Sequence, residues 1–597
     1  MPARLPPACA PRGLLGLAAL ATLLGACLDV PSGPSPECES SEDCRASAGE
    51  ICDEGTCWGD PPAAQYAAVV SPPSGRPDLV AKEMTSLSIS PDGWIDGLAL
   101  DAPVTWTGRI EELCEAPMVC SRVSLGALIT VTRPSPFQGG PGFKAVVTAI
   151  AGGDGPSFSF TLPRSREGDA PYSVTVVPGG RGLEPDDLAT TAAQLVPPMR
   201  MELWADGDIS RTITLGGLDL PQITGVIQTA SAVGLSHHRV VALGHWDEAA
   251  PPTEVSTVDY TGADGMFRLT LSPGLVGPVE IVARPYGDVV APTLRLGNVP
   301  AATSSTRVLQ QPADLGTATT AKLAIVAQTT GGEITGVGGA TVRATATVTP
   351  PGSATRATVV VEATTDDAGV VELPLLEGAA FADSYRLEVV PPASARVGAI
   401  YDAPLEVDTS YAPKLLPARV PIRGLVTDAE GHPLEGVAVT ARPSLRFAWS
   451  LEDLPQAFLA GIPAATALTP ATGEFVLFVD RTIGDVWGHY DLVFEPSATT
   501  RAPAFVLPEV EIPRDDRDEI ELEATVRLPD AAFVRGQVTD PAGEQVEAAE
   551  LKVFRISTSL TLCGQVKNAP TSCPIPAQLQ GRGGSDGDGV VRIALPR

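Results

Sequence analysis

The sequence predicts an all-β protein: a tandem array of small β-sandwich domains that follows a short disulfide-stapled module. Three observations predict this. Segments with alternating apolar and polar residues recur along the chain, Gly and Pro number 59 and 58, and four cysteines crowd between residues 38 and 57. Alternation with period 2 is typical of half-buried strands. Frequent Gly and Pro indicate many short strands joined by turns.

Length and charge narrow the class of protein. At 597 residues, length alone predicts about four domains. Hydrophobic residues make up 44%, which is too apolar for a disordered chain. The formal net charge is -30, from 41 Lys and Arg against 71 Asp and Glu. Such a surface repels phosphate backbones, so no nucleic-acid partner is expected.

Residues 1–26 predict a lipoprotein signal peptide. Arg4 and Arg12 give it a positive start, and the apolar run that follows is too short to span a bilayer stably. The run ends in LGAC, where the last letter is Cys27. This ending resembles a bacterial lipobox, which implies that Cys27 becomes the lipidated first residue of the mature chain. An ordinary cleaved signal with a chance cysteine is the alternative.

A lipid anchor on Cys27 implies where the protein resides. Several acyl chains hold a protein to a membrane effectively permanently. The expected location is therefore the cell envelope, and Leu28 after the cysteine favours the outer membrane, on either face. The expected partners are this membrane, reached through the anchor, and an envelope protein or a glycan. No cofactor is expected.

The cysteines beyond Cys27 predict disulfides, because export leads to an oxidising compartment. The module of residues 27–60 is too small and polar to bury a core, and two bridges would replace one. Zinc is the rival, although it favours closer pairs such as C-x-x-C. All eight cysteines are predicted to be oxidised: Cys38, Cys44, Cys52 and Cys57 in one of three possible pairings, Cys114 with Cys120, and Cys563 with Cys573. The segment resembles the four-cysteine modules of large lipoproteins from Gram-negative predatory soil bacteria.

Three motifs recur in order along the chain. The first is a strand, a turn and a strand, clearest in RGLVTDAEGHPLEGVAVTARP from Arg423 and RGQVTDPAGEQVEAAELKVFR from Arg535. Its Asp caps the turn and its Gly accepts positive φ. The second is a polar turn, a Gly and a strand, found at 152–162, 262–271, 365–375, 469–479 and 585–595. The third is a strand that ends in Pro, found at 172–178, 279–285, 385–392 and 490–496.

These motifs predict five units of roughly 100 residues, each with its own core. The expected boundaries are 61–200 for unit 1, 201–300 for unit 2, 301–415 for unit 3, 416–510 for unit 4 and 511–597 for unit 5. Unit 5 is predicted to be incomplete, because only eight residues follow Gly589 and the third motif does not fit there. Its open edge is expected to stay free, or to pair with a partner or with the linker residues 517–528.

The first motif of unit 4 resembles the carboxypeptidase regulatory-like domain. The matching positions are Gly424, Val426, Asp428, Gly431, Pro433, Leu434, Gly436, Val437 and Val439. Unit 5 keeps Gly536, Val538, Asp540 and Gly543. The resemblance implies a transthyretin-like (prealbumin- or Ig-like) sandwich, also grouped with carbohydrate-binding-like folds. It implies little about function, since such a fold hosts many activities.

Candidate catalytic and metal residues are few. The H-x-x-E strings His245/Glu248 and His432/Glu435 lie inside separate small units, without a catalytic domain around them. His237 and His238 are neighbours on a strand and point to opposite faces. The segments 206–213 and 586–591 are short of ligands for calcium and are interpreted as turns. No catalytic or metal residue is therefore predicted.

Three function classes remain. The first is a non-catalytic envelope lipoprotein whose sandwich array is structural, adhesive or presents a surface. The second is a carbohydrate-binding lipoprotein, for which two tryptophans on one face could form a stacking platform. The candidates are Trp94, Trp106, Trp204, Trp246 and Trp487. The third is an accessory subunit of a hydrolase. Residues that bind a ligand cannot be assigned from the sequence.

Overall fold

A computed structural model gives the fold of the chain. The described residues are 38–597 apart from the following: 54, 113–125, 138, 151–156, 167, 180–195, 217–219, 230–232, 248–251, 288–292, 302–304, 312–317, 329–331, 349–356, 377–384, 393, 406–411, 445–446, 448–464, 484–485, 498–499, 501, 514–519, 522–524 and 557–576. Apart from a 3-10 turn at Ala46–Ala48 and the single helical residue Phe447, the regular elements of the described residues are strands. None of their helical segments is long and apolar enough to cross a membrane.

The predicted all-β class and the array of sandwiches are confirmed. Five sandwiches follow one plan of seven strand positions in two sheets. The first strand lies centrally in one sheet, between the fourth strand, which is antiparallel to it, and the seventh, which is parallel. The other sheet has the order sixth, fifth, second, third.

The N-terminal part of the chain contributes five strands. Two form a hairpin inside the cysteine-rich module, and the other three belong to sandwich 5, described last. The strands are β1 Ile51–Asp53, β2 Thr56–Trp58, β3 Tyr66–Ser71, β4 Lys82–Met84 and β5 Trp94–Ile95.

Sandwich 1 covers residues 104–215. Its strands are β6 Val104–Glu112, β7 Ala127–Arg133, β8 Phe143–Ala149, β9 Phe158–Leu162, β10 Tyr172–Pro178, β11 Met199–Leu203 and β12 Ile209–Leu215. The third-motif strand β10 alternates buried and half-buried residues along its whole length. This alternation is the period-2 pattern that the sequence predicts. The inward side chains form a core around the fully buried Trp106.

Sandwich 2 covers residues 222–311. Its strands are β13 Gln222–Thr229, β14 His238–His245, β15 Thr253–Glu254, β16 Asp259–Tyr260, β17 Met266–Thr270, β18 Val276–Pro285, β19 Thr293–Val299 and β20 Ser305–Gln311. The short strands β15 and β16 share the third position of the plan, since both pair with β14.

Sandwich 3 covers residues 318–415. Its strands are β21 Ala318–Gln328, β22 Ile334–Gly336, β23 Thr341–Val348, β24 Ala357–Thr364, β25 Val370–Leu376, β26 Tyr385–Val390, β27 Ile400–Leu405 and β28 Ala412–Leu415. Strand β24 pairs antiparallel with β19 of sandwich 2, so one nine-stranded sheet runs through both sandwiches. Their buried residues form one continuous core.

Sandwich 4 covers residues 420–527. Its strands are β29 Val420–Thr427, β30 Val437–Pro443, β31 Ala465–Leu468, β32 Glu474–Val479, β33 Thr482–Ile483, β34 Val486–Trp487, β35 His489–Pro496, β36 Phe505–Glu511, β37 Ile520–Glu521 and β38 Val526–Arg527. The first-motif turn has the predicted geometry. Gly431 has φ 95°, and Asp428 Oδ1 accepts a hydrogen bond of 2.7 Å from the N–H of His432.

Sandwich 5 is assembled from both ends of the chain. Its C-terminal strands are β39 Ala531–Gln537, β40 Glu550–Arg555, β41 Gln578–Gly584 and β42 Val590–Pro596. The N-terminal strands β3, β4 and β5 take the fifth, sixth and seventh positions. Strand β3 pairs antiparallel with β40, and β5 pairs parallel with β39. Buried residues of both chain ends form one core.

The prediction that unit 5 is incomplete is therefore wrong. The sandwich has all seven strand positions, because residues 66–71 occupy the place that residues 489–496 occupy in sandwich 4. The linker 517–528 does not pair with sandwich 5 either. Its strands β37 and β38 lie parallel to β29 as the seventh position of sandwich 4.

The predicted boundaries of the units also differ from those of the sandwiches. Residues 61–101 do not belong to unit 1, since they pack in sandwich 5. The seventh strand pairs back to the first strand of its own sandwich, so residues 209–215 belong to sandwich 1 and 305–311 to sandwich 2. Predicted unit 1 therefore includes three strands of sandwich 5, and predicted units 1, 2 and 4 each end before the seventh strand position of their sandwich.

Neighbouring sandwiches also touch one another. Ser272 Oγ of sandwich 2 donates to the Pro198 carbonyl beside sandwich 1 at 2.6 Å. The Ala504 N–H donates to the Gln580 carbonyl at 2.9 Å, which joins sandwiches 4 and 5. Phe554 of sandwich 5 packs on Phe137 of the sandwich 1 loop with ring centroids 5.4 Å apart. The five sandwiches therefore form a closed circuit, in which sandwich 5 holds the two ends together.

Candidate functional site: the junction of the chain ends

The cysteine-rich module is the first part of this junction. Cys38 pairs with Cys52 and Cys44 with Cys57, with Cα–Cα separations of 5.9 and 5.6 Å. These bridges select one of the three pairings that the sequence leaves open. Each bridge joins a cysteine that precedes the β1–β2 hairpin to a cysteine in one of its two strands. The bridges therefore fix a segment that has no core of its own.

The module is joined to sandwich 5 through Trp58. This residue pairs in parallel register with Phe533 of β39, and only 3% of its surface is exposed. Its indole Nε1 donates to the Asp53 carbonyl at 3.0 Å, and its ring meets Phe533 edge-on at 6.1 Å. The Arg535 guanidinium lies 5.3 Å from the centre of the Trp58 ring and contacts the Asp53 carboxylate. Aromatic burial and cation–π contact both stabilise this seam.

Arg597 forms the second link between the ends. Its guanidinium contacts the Glu50 carboxylate, lies 3.6 Å from Asp60, and donates through Nε to the Ala531 carbonyl at 2.9 Å. The side chain of Glu50 is 3% exposed and also accepts the N–H of Arg45 at 2.7 Å. These partners stabilise the buried carboxylate, which would destabilise the folded protein if it had no partner.

A third link lies at the opposite end of sandwich 5. Arg76 Nη2 is 2.7 Å from Asp78 and 3.2 Å from Asp540. The Arg76 guanidinium holds the pKa of Asp78 below its usual value. Asp540 is the first-motif aspartate, whose carboxylate also accepts the N–H groups of Ala542 and Glu544. The first-motif turn in the C-terminal part of sandwich 5 is thereby held by an arginine from its N-terminal part.

The two candidate zinc histidines, His245 and His432, lie in different sandwiches. His245 ends β14 in sandwich 2, and its predicted partner Glu248 lies outside the described residues. His432 is exposed and pairs with Asp428 at 3.1 Å in sandwich 4. His237 is exposed with φ 61°.

His238 is the buried member of the histidine pair. Only 2% of its surface is exposed, and its Nδ1 lies 2.9 Å from the Ser236 carbonyl. Burial lowers the pKa of this imidazole, so the neutral form is favoured. The side chain serves as a core residue of β14.

Among the described residues, two groups of side chains carry possible metal ligands within 4.8 Å of one another. In the first, Cys38, Cys44 and Cys57 are held in disulfides, which removes their thiolates. The second is Asp428, Glu430 and His432, where Asp428 is already bonded to its own turn.

The segments that resemble calcium loops behave as turns. Asp586 accepts the N–H groups of Asp588 at 3.1 Å and Val590 at 2.9 Å, and it contacts Arg592. Asp208 accepts the N–H of Thr105 at 2.9 Å, Asp206 lies 3.4 Å from Arg166, and the segment continues into strand β12 from Ile209. Their carboxylates are therefore used by the protein itself.

The tryptophans do not form a shared platform. Trp106 is fully buried in sandwich 1, whereas Trp204 of the same sandwich is 46% exposed. The other three lie in three different sandwiches: Trp94 in sandwich 5, Trp246 in sandwich 2 and Trp487 in sandwich 4.

A buried hydroxyl that recurs in four sandwiches was missed by the sequence reasoning. It precedes the Gly of the second motif by four residues, and it bonds the backbone beside the second strand. The residues are Thr261, Thr365, Thr469 and Ser585. The signal was present in the sequence, because each copy is a Ser or Thr at a fixed distance from that Gly.

The other predicted cysteine sites lie outside the described residues. They are Cys27, Cys114, Cys120, Cys563 and Cys573.

Comparison with known proteins gives distant likenesses only. No family model and no curated protein matches the chain. Among solved structures, the Bacillus anthracis TIE protein is 11% identical with a TM-score of 0.14, over 71% of this chain and 72% of that one. A streptococcal ancillary pilin is 12% identical with a TM-score of 0.18, over 51% and 99%. The full-length major pilin RrgB of Streptococcus pneumoniae is 10% identical with a TM-score of 0.12, over 72% and 100%. At these TM-scores the likenesses carry no argument about this chain.

Proposed function

We propose that the protein is a non-catalytic cell-envelope lipoprotein, attached by a lipid on Cys27, whose sandwiches form a structural, adhesive or presenting module. One observation supports this above the others: the N-terminal segment that follows the anchor is built into the folded body. The module joins sandwich 5 through the Trp58–Phe533 pair, and β3 completes the same sandwich. An anchored end of this kind holds the body at the membrane, and the other four sandwiches form a loop that leaves sandwich 5 and returns to it.

The anchor is tested by replacing Cys27. Labelled palmitate should enter the wild-type protein and not Cys27→Ser, which should leave the membrane fraction. Equal labelling of both proteins, or equal membrane retention, would contradict the anchor.

The non-catalytic role is tested through a deletion strain, scored for cell adhesion and envelope integrity. His432→Ala and His237→Ala should restore both properties fully, because a structural module does not depend on exposed titratable groups. Val70→Asp, which places a charge in the core of sandwich 5, should restore neither. If a histidine variant is present at the wild-type level but does not restore adhesion and envelope integrity, that histidine has a chemical role, and the non-catalytic proposal is contradicted.

A further inference from the structure

A cavity of about 190 Å³ lies where the module, sandwich 4 and sandwich 5 meet. Thr56 and Trp58 of the N-terminal segment form one wall, Glu495 and Thr500 of sandwich 4 form another, and Arg582 of β41 lies on the third. This volume is well above what a single water molecule needs. It suits a small organic molecule.

The charge of the cavity is opposite to that of the protein as a whole. Arg582 is half-buried, and its neighbour across the sheet is Lys552, a like charge. Within the described part of the chain, Arg582 has no hydrogen-bond or ion-pair partner. The other two charged residues of the lining have opposite charges beside them, since Arg592 contacts Asp586 and Glu495 lies 3.7 Å from Arg442. Among the described residues, the Arg582 guanidinium is therefore not neutralised, in a chain of net charge -30.

The surrounding groups indicate which anion would fit. A guanidinium binds a carboxylate through two parallel N–H···O bonds, and such charge-assisted pairs are stronger than neutral ones. The hydroxyl groups of Thr56 and Thr500 can bond to hydroxyl groups on a ligand. We propose that this cavity binds a small organic carboxylate that also carries hydroxyl groups, with Arg582 as its anion-binding residue.

The ligand would also bridge the two ends of the chain. The lining includes Trp58 from the N-terminal segment and Arg582 from the C-terminal strands, so the site exists only while sandwich 5 is closed. A ligand that binds only the closed form raises its apparent stability. This proposal is independent of the lipid anchor and of the adhesive role.

The test is isothermal titration of the full chain with lactate and glucuronate, with glucose as the neutral counterpart of glucuronate. At least one of the two acids should bind saturably and raise the unfolding temperature of sandwich 5, whereas glucose should not. Arg582→Gln should weaken binding about tenfold or more, which corresponds to about 1.4 kcal/mol. Arg582→Lys should give an intermediate loss, because it keeps the charge without the paired N–H groups.

The matched control is Arg284→Gln, which removes an exposed arginine from sandwich 2 and should leave binding unchanged. The unliganded Arg582→Gln protein should melt like the wild type, since Arg582 has no partner among the described residues. Three results would each overturn the proposal: no saturable binding of either acid, equal binding of glucose, or unchanged affinity in Arg582→Gln.

Discussion

At Thr469 a single hydroxyl group connects two parts of sandwich 4. Its Oγ1 donates to the Leu434 carbonyl at 2.7 Å and accepts the N–H of Val437 at 2.9 Å. The residue is 2% exposed, so water cannot replace either bond. Because the accepted N–H bond recurs in four sandwiches, it is a structural feature of the repeat and no sign of a reaction at any one of them.

Thr469→Val should therefore destabilise sandwich 4 by about 1–3 kcal/mol, the cost of leaving a buried backbone group unpaired. Chemical denaturation followed by hydrogen exchange at Val437 measures this loss. Thr466→Val is the control, since Thr466 is exposed and its side chain bonds to the hydroxyl of another surface residue, Thr440, at 3.2 Å. Equal losses in the two variants would contradict the role of the buried hydroxyl.

A buried ion pair at the start of sandwich 4 makes the stability of this sandwich dependent on pH. Arg419 Nε lies 3.0 Å from Asp480 Oδ1, and their side chains are 8% and 5% exposed. Burial raises the pKa of Asp480, although the Arg419 charge opposes it. The folded state thus binds a proton more tightly than the unfolded state. This contribution to stability is fully present below the usual carboxyl pKa and is lost as pH rises through the raised pKa.

Arg419→Met should cost about 3–5 kcal/mol at neutral pH, because it leaves the ionised Asp480 buried without a partner. The loss should shrink as pH falls and Asp480 becomes protonated. Urea denaturation across this pH range measures it, and the double variant Arg419→Met/Asp480→Asn should regain most of the stability. A loss that is the same at every pH would show that packing, and not charge, is responsible.

At the scale of elements, β3 decides whether sandwich 5 closes. Val70 on this strand is fully buried and pairs in register with Leu551 of β40. Val70→Asp should open the sandwich, since an isolated buried carboxylate costs several kcal/mol. Hydrogen exchange should then become fast in β40 and stay slow in β30 of sandwich 4.

Val146→Asp supplies the matched control for that experiment. Val146 lies on β8 of sandwich 1 and is 55% exposed, so the same substitution should leave the exchange of β40 unchanged. Slow exchange of β40 in Val70→Asp would mean that β3 is dispensable.

The strands of the sandwiches were predictable from the sequence, but the strand with which β3 pairs was not. Period-2 alternation and the recurring turns identified the five sandwiches, since these are local patterns. The segment YAAVVSPP at 66–73 also has the form of the third motif, with Tyr, paired Val and Pro. It precedes its first-motif strand β39 by more than 450 residues, and pairing over such a distance leaves no local trace. The junction contacts Glu50–Arg597 and Asp53–Arg535 were hidden for the same reason, at separations of 547 and 482 residues.

At the scale of the molecule, the closed circuit predicts that a single cut will not divide the protein. A protease site placed in residues 217–219, between β12 and β13, separates the chain into two fragments. The N-terminal fragment still carries β3, β4 and β5, which complete sandwich 5 of the other fragment. The fragments should therefore elute together in native gel filtration and separate in a denaturing gel.

The same cut combined with Val70→Asp tests what holds the fragments. They should now elute apart, whereas the cut combined with Val146→Asp should leave them together. Fragments that stay together in Val70→Asp would show that contacts such as Ser272–Pro198 suffice.

The split of sandwich 5 also sets an order of events during synthesis. Strands β3 to β5 emerge first, yet their partners β39 and β40 are made last, so the first sandwich to begin is the last to finish. Until then the apolar strand YAAVVS stays unpaired, which is the kind of segment that chaperones hold and proteases find. A chain interrupted anywhere before residue 550 would keep this strand exposed, however well its other sandwiches had folded. The split thus makes the folding of sandwich 5 a check on complete synthesis, because only a chain translated through β39 and β40 can cover β3.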